Sequence, residues 1–166
     1  MKKTTYLKLL KESIQALNIN DVRIIGFSGF CDIDHLDGLN QNHADYVLGN
    51  LAQVTHSQEH KEEGQNNNLI FFAEMGIRWT LNKNDNKLSK DKRPKDAIDV
   101  CKIEANYAVT YSKIANLTKN HVLAFASKNV VFNIWPYWRE YVSSQTQKMG
   151  VPKLVLPFYE PLPDQD

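Results

Sequence analysis

From Leu69 to Leu81 apolar and polar residues alternate. Phe71, Ala73, Met75, Ile77, Trp79 and Leu81 fall on one side of an extended chain, and Glu74, Arg78 and Thr80 on the other. The same period returns where Cys101, Ile103, Ala105, Tyr107, Val109 and Tyr111 alternate with Lys102, Glu104, Asn106, Thr110 and Ser112. The two segments are expected to pair as a hairpin across the polar stretch 82–96. Such regular alternation describes an antiparallel sheet that is dry on one face and wet on the other. Two further strands are expected. Val22 to Ile33 mixes β-branched and aromatic residues with Gly26 and Gly29, so apolar side chains fall on both faces. Tyr46, Leu48, Ala52 and Val54 alternate with Asp45, Gly49, Gln53 and Thr55. The polar run 57–68 reads as an exposed loop.

Helical periodicity flanks this pattern. Leu7, Leu10, Ile14 and Leu17 recur at i, i+3, i+7 and i+10 behind Thr4 and Thr5, which predicts an N-terminal helix within 1–20. A helical region over 118–149 begins with Val122, Leu123 and Phe125. It continues through Val131, Ile134, Trp135, Trp138, Tyr141 and Val142 to Gly150. With Asn133 as cap, Pro136 would sit in the first turn; otherwise the helix kinks there. Residues 151–166 carry Pro152, Pro157, Pro161 and Pro163 and read as an extended apolar strap. The expected fold is one α+β domain over 1–166. A four-stranded antiparallel sheet is covered on one face by a long C-terminal helix, with an extra N-terminal helix.

Composition narrows the function. The 166 residues are 42% hydrophobic and 23% charged with a formal net charge of +1, which excludes disordered, collagen-like and disulfide-scaffold chains. The longest basic stretch, Lys83 to Lys95, is interleaved with Asp85 and Asp91, so no nucleic-acid partner is expected. No apolar run is long enough for a membrane span, and Lys8, Lys11 and Glu12 interrupt what a signal peptide would keep apolar, so a cytoplasmic protein is expected. Cys31 and Cys101 lack CxxC spacing and are expected to be reduced.

Candidate chemistry is sparse. His56 and His60 flank Glu59, but the glutamate is at the wrong position for a zincin helix. His35 with Asp32, Asp34 and Asp37 is explained by turn chemistry beside Gly38 as well as by a cation. Gly26-Phe27-Ser28-Gly29 lacks the lysine and spacing of a phosphate loop. No Ser-His-Asp or Cys-His set can be assembled. Hence no catalytic residue, metal or cofactor is expected. Three Trp and seven Phe in a two-layer domain leave apolar surface for another chain.

The segment from Asn129 to Pro157 resembles the C-terminal half of the SecB chaperone family, in Trp135-Pro136-Tyr137, Arg139-Glu140, Gly150 and Val151-Pro152-Lys153-Leu154. The strand before it, with Glu104 and Tyr111-Ser112, is similar to that family's last strand. The resemblance covers about Ile98 to Pro157, is faint over the earlier strands and is absent from the first helix. It implies an ATP-independent holdase that self-associates as a dimer of dimers and wraps unfolded polypeptide in apolar grooves. Two departures point away from the export chaperone. No helical pattern follows the strap before Asp166, and Lys102, Gly26 and Phe30 stand where the translocase-binding surface would be apolar or acidic. The resemblance is therefore closer to chaperones of toxin–antitoxin systems, with an antitoxin as client. A general export holdase that delivers preproteins is the alternative, and a small-ligand or catalytic domain the alternative of another class. Client contacts are expected from Ile24, Ile25, Phe27 and Phe30, with Phe158 and Tyr159 walling the same groove. Subunit contacts are expected from Trp135, Trp138, Tyr141 and Val142.

Overall fold

The computed structural model describes residues 3–41, 46–60, 67–81 and 98–159. Helix α1 (Lys3–Ala16) runs without a loop into strand β1 (Leu17–Cys31), followed by a 3-10 turn (Ile33–His35) and the short helix α2 (Leu36–Gln41). Strands β2 (Tyr46–His60), β3 (Asn68–Leu81) and β4 (Ile98–Lys113) come next. Helix α3 (Lys119–Phe125), a π-helical turn (Ala126–Val130) and helix α4 (Val131–Lys148) then form one helical arm of 30 residues. The sheet order is β1-β4-β3-β2 with every pairing antiparallel. The two strands with the strictest alternation are therefore central, and β1 and β2 are the edges.

The register explains the core. Phe71 lies opposite Val109, Ala73 opposite Tyr107, Met75 opposite Ala105 and Ile77 opposite Ile103, all buried on one face. Onto that face α4 lowers Ile134, Trp138 and Val142, one per turn, and all three are buried. At the end near α3, the rings of Phe71, Tyr111 and Phe125 meet at centroid distances of 5.0–5.7 Å. Large side chains buried in this way contribute about 1.5–3 kcal/mol each before entropic costs.

Several sequence expectations are corrected here. The first helix stops at Ala16, because Leu17 is already paired with Lys113 and buried in the sheet core. Its stripe of Leu7 and Ile14 stays about half exposed, while Ser13 and Ala16 face inward. The contact with the helical arm is polar at its ends: Ser13 Oγ donates to the His121 carbonyl of α3 (3.0 Å), and Tyr6 Oη meets Ser127 Oγ of the π-helical turn (2.7 Å). The first strand ends at Cys31 rather than Ile33, because Asp32 caps the 3-10 turn by accepting from Asp34 N–H at 3.1 Å. Residues 57–60 continue β2 instead of opening the loop, with Ser57 opposite Phe71 and His60 opposite Asn68. Their exposed side chains suit an edge strand, whose pairing comes from the main chain and needs no apolar residues. Residues 61–66, 82–97 and 160–166, including half of the expected loop 57–68, all of the loop 82–96 and the end of the strap, lie outside the described residues.

Asn133 is not a cap. The helix passes through it, and its Nδ2 donates to Tyr111 Oη at 2.8 Å. Pro136 consequently sits inside α4. The burial of Val131, Ile134, Trp138 and Val142 along one stripe outweighs the roughly 3 kcal/mol that an interior proline costs. Gly150 terminates α4 with φ +68°: its N–H bonds to the Gln147 carbonyl, and that of Val151 to the Thr146 carbonyl. The strap then turns back along α4. Trp135 Nε1 donates to the Pro157 carbonyl and Arg139 Nε to the Leu156 carbonyl, both at 2.8 Å.

Candidate functional site

Strand β1 carries two register shifts against β4, one between Ile19 and Asp21 and one between Ile24 and Gly26. The second leaves Ile25 as an extra residue. A bulge of this kind adds a side chain to one stretch of strand and increases its twist. Ile24, Ile25, Gly26 and Phe27 together line an open groove of about 600 Å³ whose other wall is Tyr141 and Gln145 of α4. Phe27 is 75% exposed and Ile25 55%, unusual for such side chains on a folded surface. Beside them, the outer edge of β1 pairs with no strand among the described residues. Unpaired N–H and C=O groups flanked by apolar side chains can take up an extended polypeptide as an added strand.

The structure brings together only part of the expected contact set. Ile24, Ile25 and Phe27 share the groove, and Tyr141, expected between subunits, forms its wall. Phe30 lies opposite Lys102 on the uncovered sheet face, so it does not line this groove. Phe158 and Tyr159 do not wall it either, which corrects the single-groove expectation. Tyr159 packs on Trp135 at 5.2 Å and Phe132 at 6.4 Å, and Phe158 lies under the Arg139 guanidinium at 4.5 Å. Of the expected subunit contacts, Trp138 and Val142 are at most 1% exposed within this chain and have no surface to offer a second one. Trp135 and Tyr141 remain half-buried.

Tyr159 belongs to a second cleft of about 350 Å³, which sequence reasoning missed. It lies between Ala52 to Ser57 of β2 and Val122, Leu123, Ala126 and Val131 of the helical arm. The available signal was the helical spacing of Val122, Ala126 and Val131 on a face that also carries the exposed Leu123. The two clefts therefore sit at opposite edges of the sheet.

On the uncovered face, Glu104 accepts from Ser28 Oγ (3.1 Å) and pairs with Lys102 Nζ (2.7 Å). Partial burial alone would raise its pKa. The hydrogen bonds from Lys102 and Ser28, with the charges of Lys102 and Arg78, outweigh that and hold it below the usual carboxylate value. Burial pushes the Tyr111 phenol up to about 12 against the opposing hydrogen bond from Asn133. Among the described residues no catalytic constellation accompanies these groups. His35 Nδ1 is held by Asp32 at 2.9 Å, and the His56 ring stacks on Phe72 at 4.3 Å. Among the described residues no three His, Cys, Asp or Glu side chains gather to hold a metal, and no helix is long and apolar enough to cross a membrane.

No protein-family model and no curated protein matches this chain by sequence. A solved structure does match in fold: the Mycobacterium tuberculosis SecB-like chaperone Rv1957, in complex with a ChAD peptide from the HigA1 antitoxin Rv1956. The superposition has a TM-score of 0.66, covers 92% of this chain and 97% of that one, and aligns residues at 13% identity. The chain has the SecB-like fold, with its four-stranded antiparallel sheet, long C-terminal helix and N-terminal helix.

Proposed function

We propose that this protein is a molecular chaperone of the holdase type, without catalytic activity, which binds unfolded or aggregation-prone polypeptide. The carrying observation is the row Ile24, Ile25 and Phe27, left exposed beside a strand edge that is unpaired among the described residues and facing Tyr141 of α4. Main-chain pairing to β1 would supply affinity and the groove would supply side-chain selectivity. The second cleft, with Tyr159, gives a long client another apolar hold at the far edge of the sheet.

The client we propose is the antitoxin of a toxin–antitoxin–chaperone system. The fold it shares with Rv1957, a chaperone seen with an antitoxin peptide, supports this reading. The uncovered sheet face supports it too. Gly26, Phe30 and Lys102 occupy that face, at positions where the resemblance to the export chaperone implies an apolar or acidic translocase-binding surface. Phe27→Ser or Ile25→Ser should weaken suppression of client aggregation at least tenfold relative to Lys153→Ser, since central aromatic and aliphatic anchors are worth about 2 kcal/mol. Equal suppression by all the variants would place the client elsewhere. Co-expression with the antitoxin should raise its solubility, and no change would reject that client.

A further inference from the structure

Cys31 and Cys101, about 70 residues apart in the chain, are direct cross-strand partners at the last pair of the β1–β4 ladder. Both are free thiols. The next N–H, that of Asp32, donates to the Val100 carbonyl at 2.7 Å. Hydrogen-bonded and non-hydrogen-bonded pairs alternate along an antiparallel ladder. The cysteines therefore form a non-hydrogen-bonded pair, the closer kind, with Cα atoms about 4.5 Å apart. That separation lies at the short end of the range a disulfide spans, about 4.4–6.8 Å. The side chains project to the same sheet face, that of Phe27 and Ile103.

We propose that Cys31 and Cys101 form a reversible disulfide that clamps the end of the edge strand β1 to the sheet. The roles follow from exposure: Cys31 is partly open to solvent and Cys101 fully buried. The Cys31 thiol loses its proton and attacks a small-molecule disulfide such as oxidised glutathione. A mixed disulfide forms and one glutathione thiolate leaves. Cys101 then gives up its proton and attacks the Cys31 sulfur, which releases the second glutathione. Two thiols lose two protons and two electrons in all, and one glutathione disulfide becomes two thiols. Burial raises both thiol pKa values, that of Cys101 to about 12, so Cys101 is inert until Cys31 places an electrophilic sulfur against it. The partial exposure of Cys31 leaves the bond open to attack by a thiol pool, which keeps it reducible. Because Cys31 ends the strand that carries Ile24 to Phe27, the bond would set how freely that strand moves.

The test treats the full chain with oxidised glutathione, alkylates the remaining thiols and reads the intact mass. We expect a monomeric product lighter by two hydrogens that retains no glutathione, with a Cys31–Cys101 linked peptide in a non-reducing digest. Reduced glutathione should reverse it. Cys101→Ser should accumulate one glutathione on Cys31, whereas Cys31→Ser should stay unmodified. The oxidised chain should melt higher, by about 5–15 °C, since the bond closes a long loop in the unfolded state. Persistent glutathione on the native chain, full alkylation of both thiols after treatment, or a bond between two chains would overturn the proposal. An unchanged Tm in a verified oxidised chain would overturn the clamp. The bond forms or fails independently of client binding, so the two readings fail separately.

Discussion

A side chain's surroundings decide whether its apolar character serves stability or binding, and Trp138 and Phe27 sit at the two extremes. Trp138 is 1% exposed and stacks on Tyr141 at 5.9 Å. Trp138→Ala should lower the unfolding free energy by about 3–5 kcal/mol, through lost transfer energy and the cavity left behind. Chemical denaturation will read that loss. Phe27→Ser should leave the denaturation midpoint almost unchanged, because the ring is largely in water already. The sequence distinguishes these two only by period. Trp138 continues a helical stripe with Ile134 and Val142, whereas Phe27 stands in a segment whose apolar residues lie on both faces; it lies opposite Ala105 on the helix-covered face and is exposed because it lines the open groove beside α4. Which residues share that groove depended on the bulge at Ile25, and no local signal marks that bulge. Glu104 illustrates the polar counterpart. Its lowered pKa means that its stabilising contacts are complete above the unfolded carboxylate value, near pH 4.5, and are lost as pH falls through the folded value. The stability gap between the native chain and Glu104→Gln should therefore be open at pH 7 and closed at strongly acidic pH. A gap independent of pH would show that packing, not charge, makes the difference.

At the scale of elements, legibility follows how much of an element's pattern the core imposes. β3 and β4 are covered on one face and wet on the other, so their alternation is complete and readable. β2 loses its alternation after Val54, where its side chains are exposed and it is held by backbone pairing to β3 and by polar and ring contacts such as His56 on Phe72 and Glu59 with Lys113. Polar residues there read as loop because polarity carries no information about main-chain pairing. In α1 the misleading signal is the reverse. Leu7 and Ile14 form a good apolar stripe, yet the helix docks through Ser13 and Ala16, whose small side chains allow close approach to α3. The C-terminal stop of α4 was legible in Gly150, where φ is +68° and any Cβ would be strained. No neighbour would touch a Cβ there, so Gly150→Ala should cost only the backbone term, about 1 kcal/mol, with the strap still docked. Thermal denaturation together with fluorescence of Trp135, which bonds to the Pro157 carbonyl, separates the two effects. A loss well above 2 kcal/mol, or a shifted Trp135 signal, would mean that the turn also positions the strap.

Across the whole molecule, apolar side chains outside the groove are also left uncovered among the described residues. Leu7 and Ile14 on α1, Leu123 on α3 and Phe132 and Tyr137 on α4 are each roughly half exposed, and both sheet edges pair with nothing among the described residues. Patches and edges of this kind promote association unless a defined partner covers them. A client can occupy the groove at β1 and the cleft at β2, but not the side of α4 that faces away from the sheet. Self-association is the remedy we expect, as a tetramer built from paired dimers, with closed symmetry limiting growth. Trp138 and Val142 are spent inside the chain, so the contact must use the outward residues, centred on Tyr137 with Trp135 and Tyr141 at its sides. Tyr137→Glu places a charge on that surface without touching the core. Light scattering at micromolar concentration should show a tetramer for the native chain and a smaller species for Tyr137→Glu, with the denaturation profile of the variant still cooperative. A native monomer would reject the assembly, and a tetramer in both would move its interface to the free strand edges.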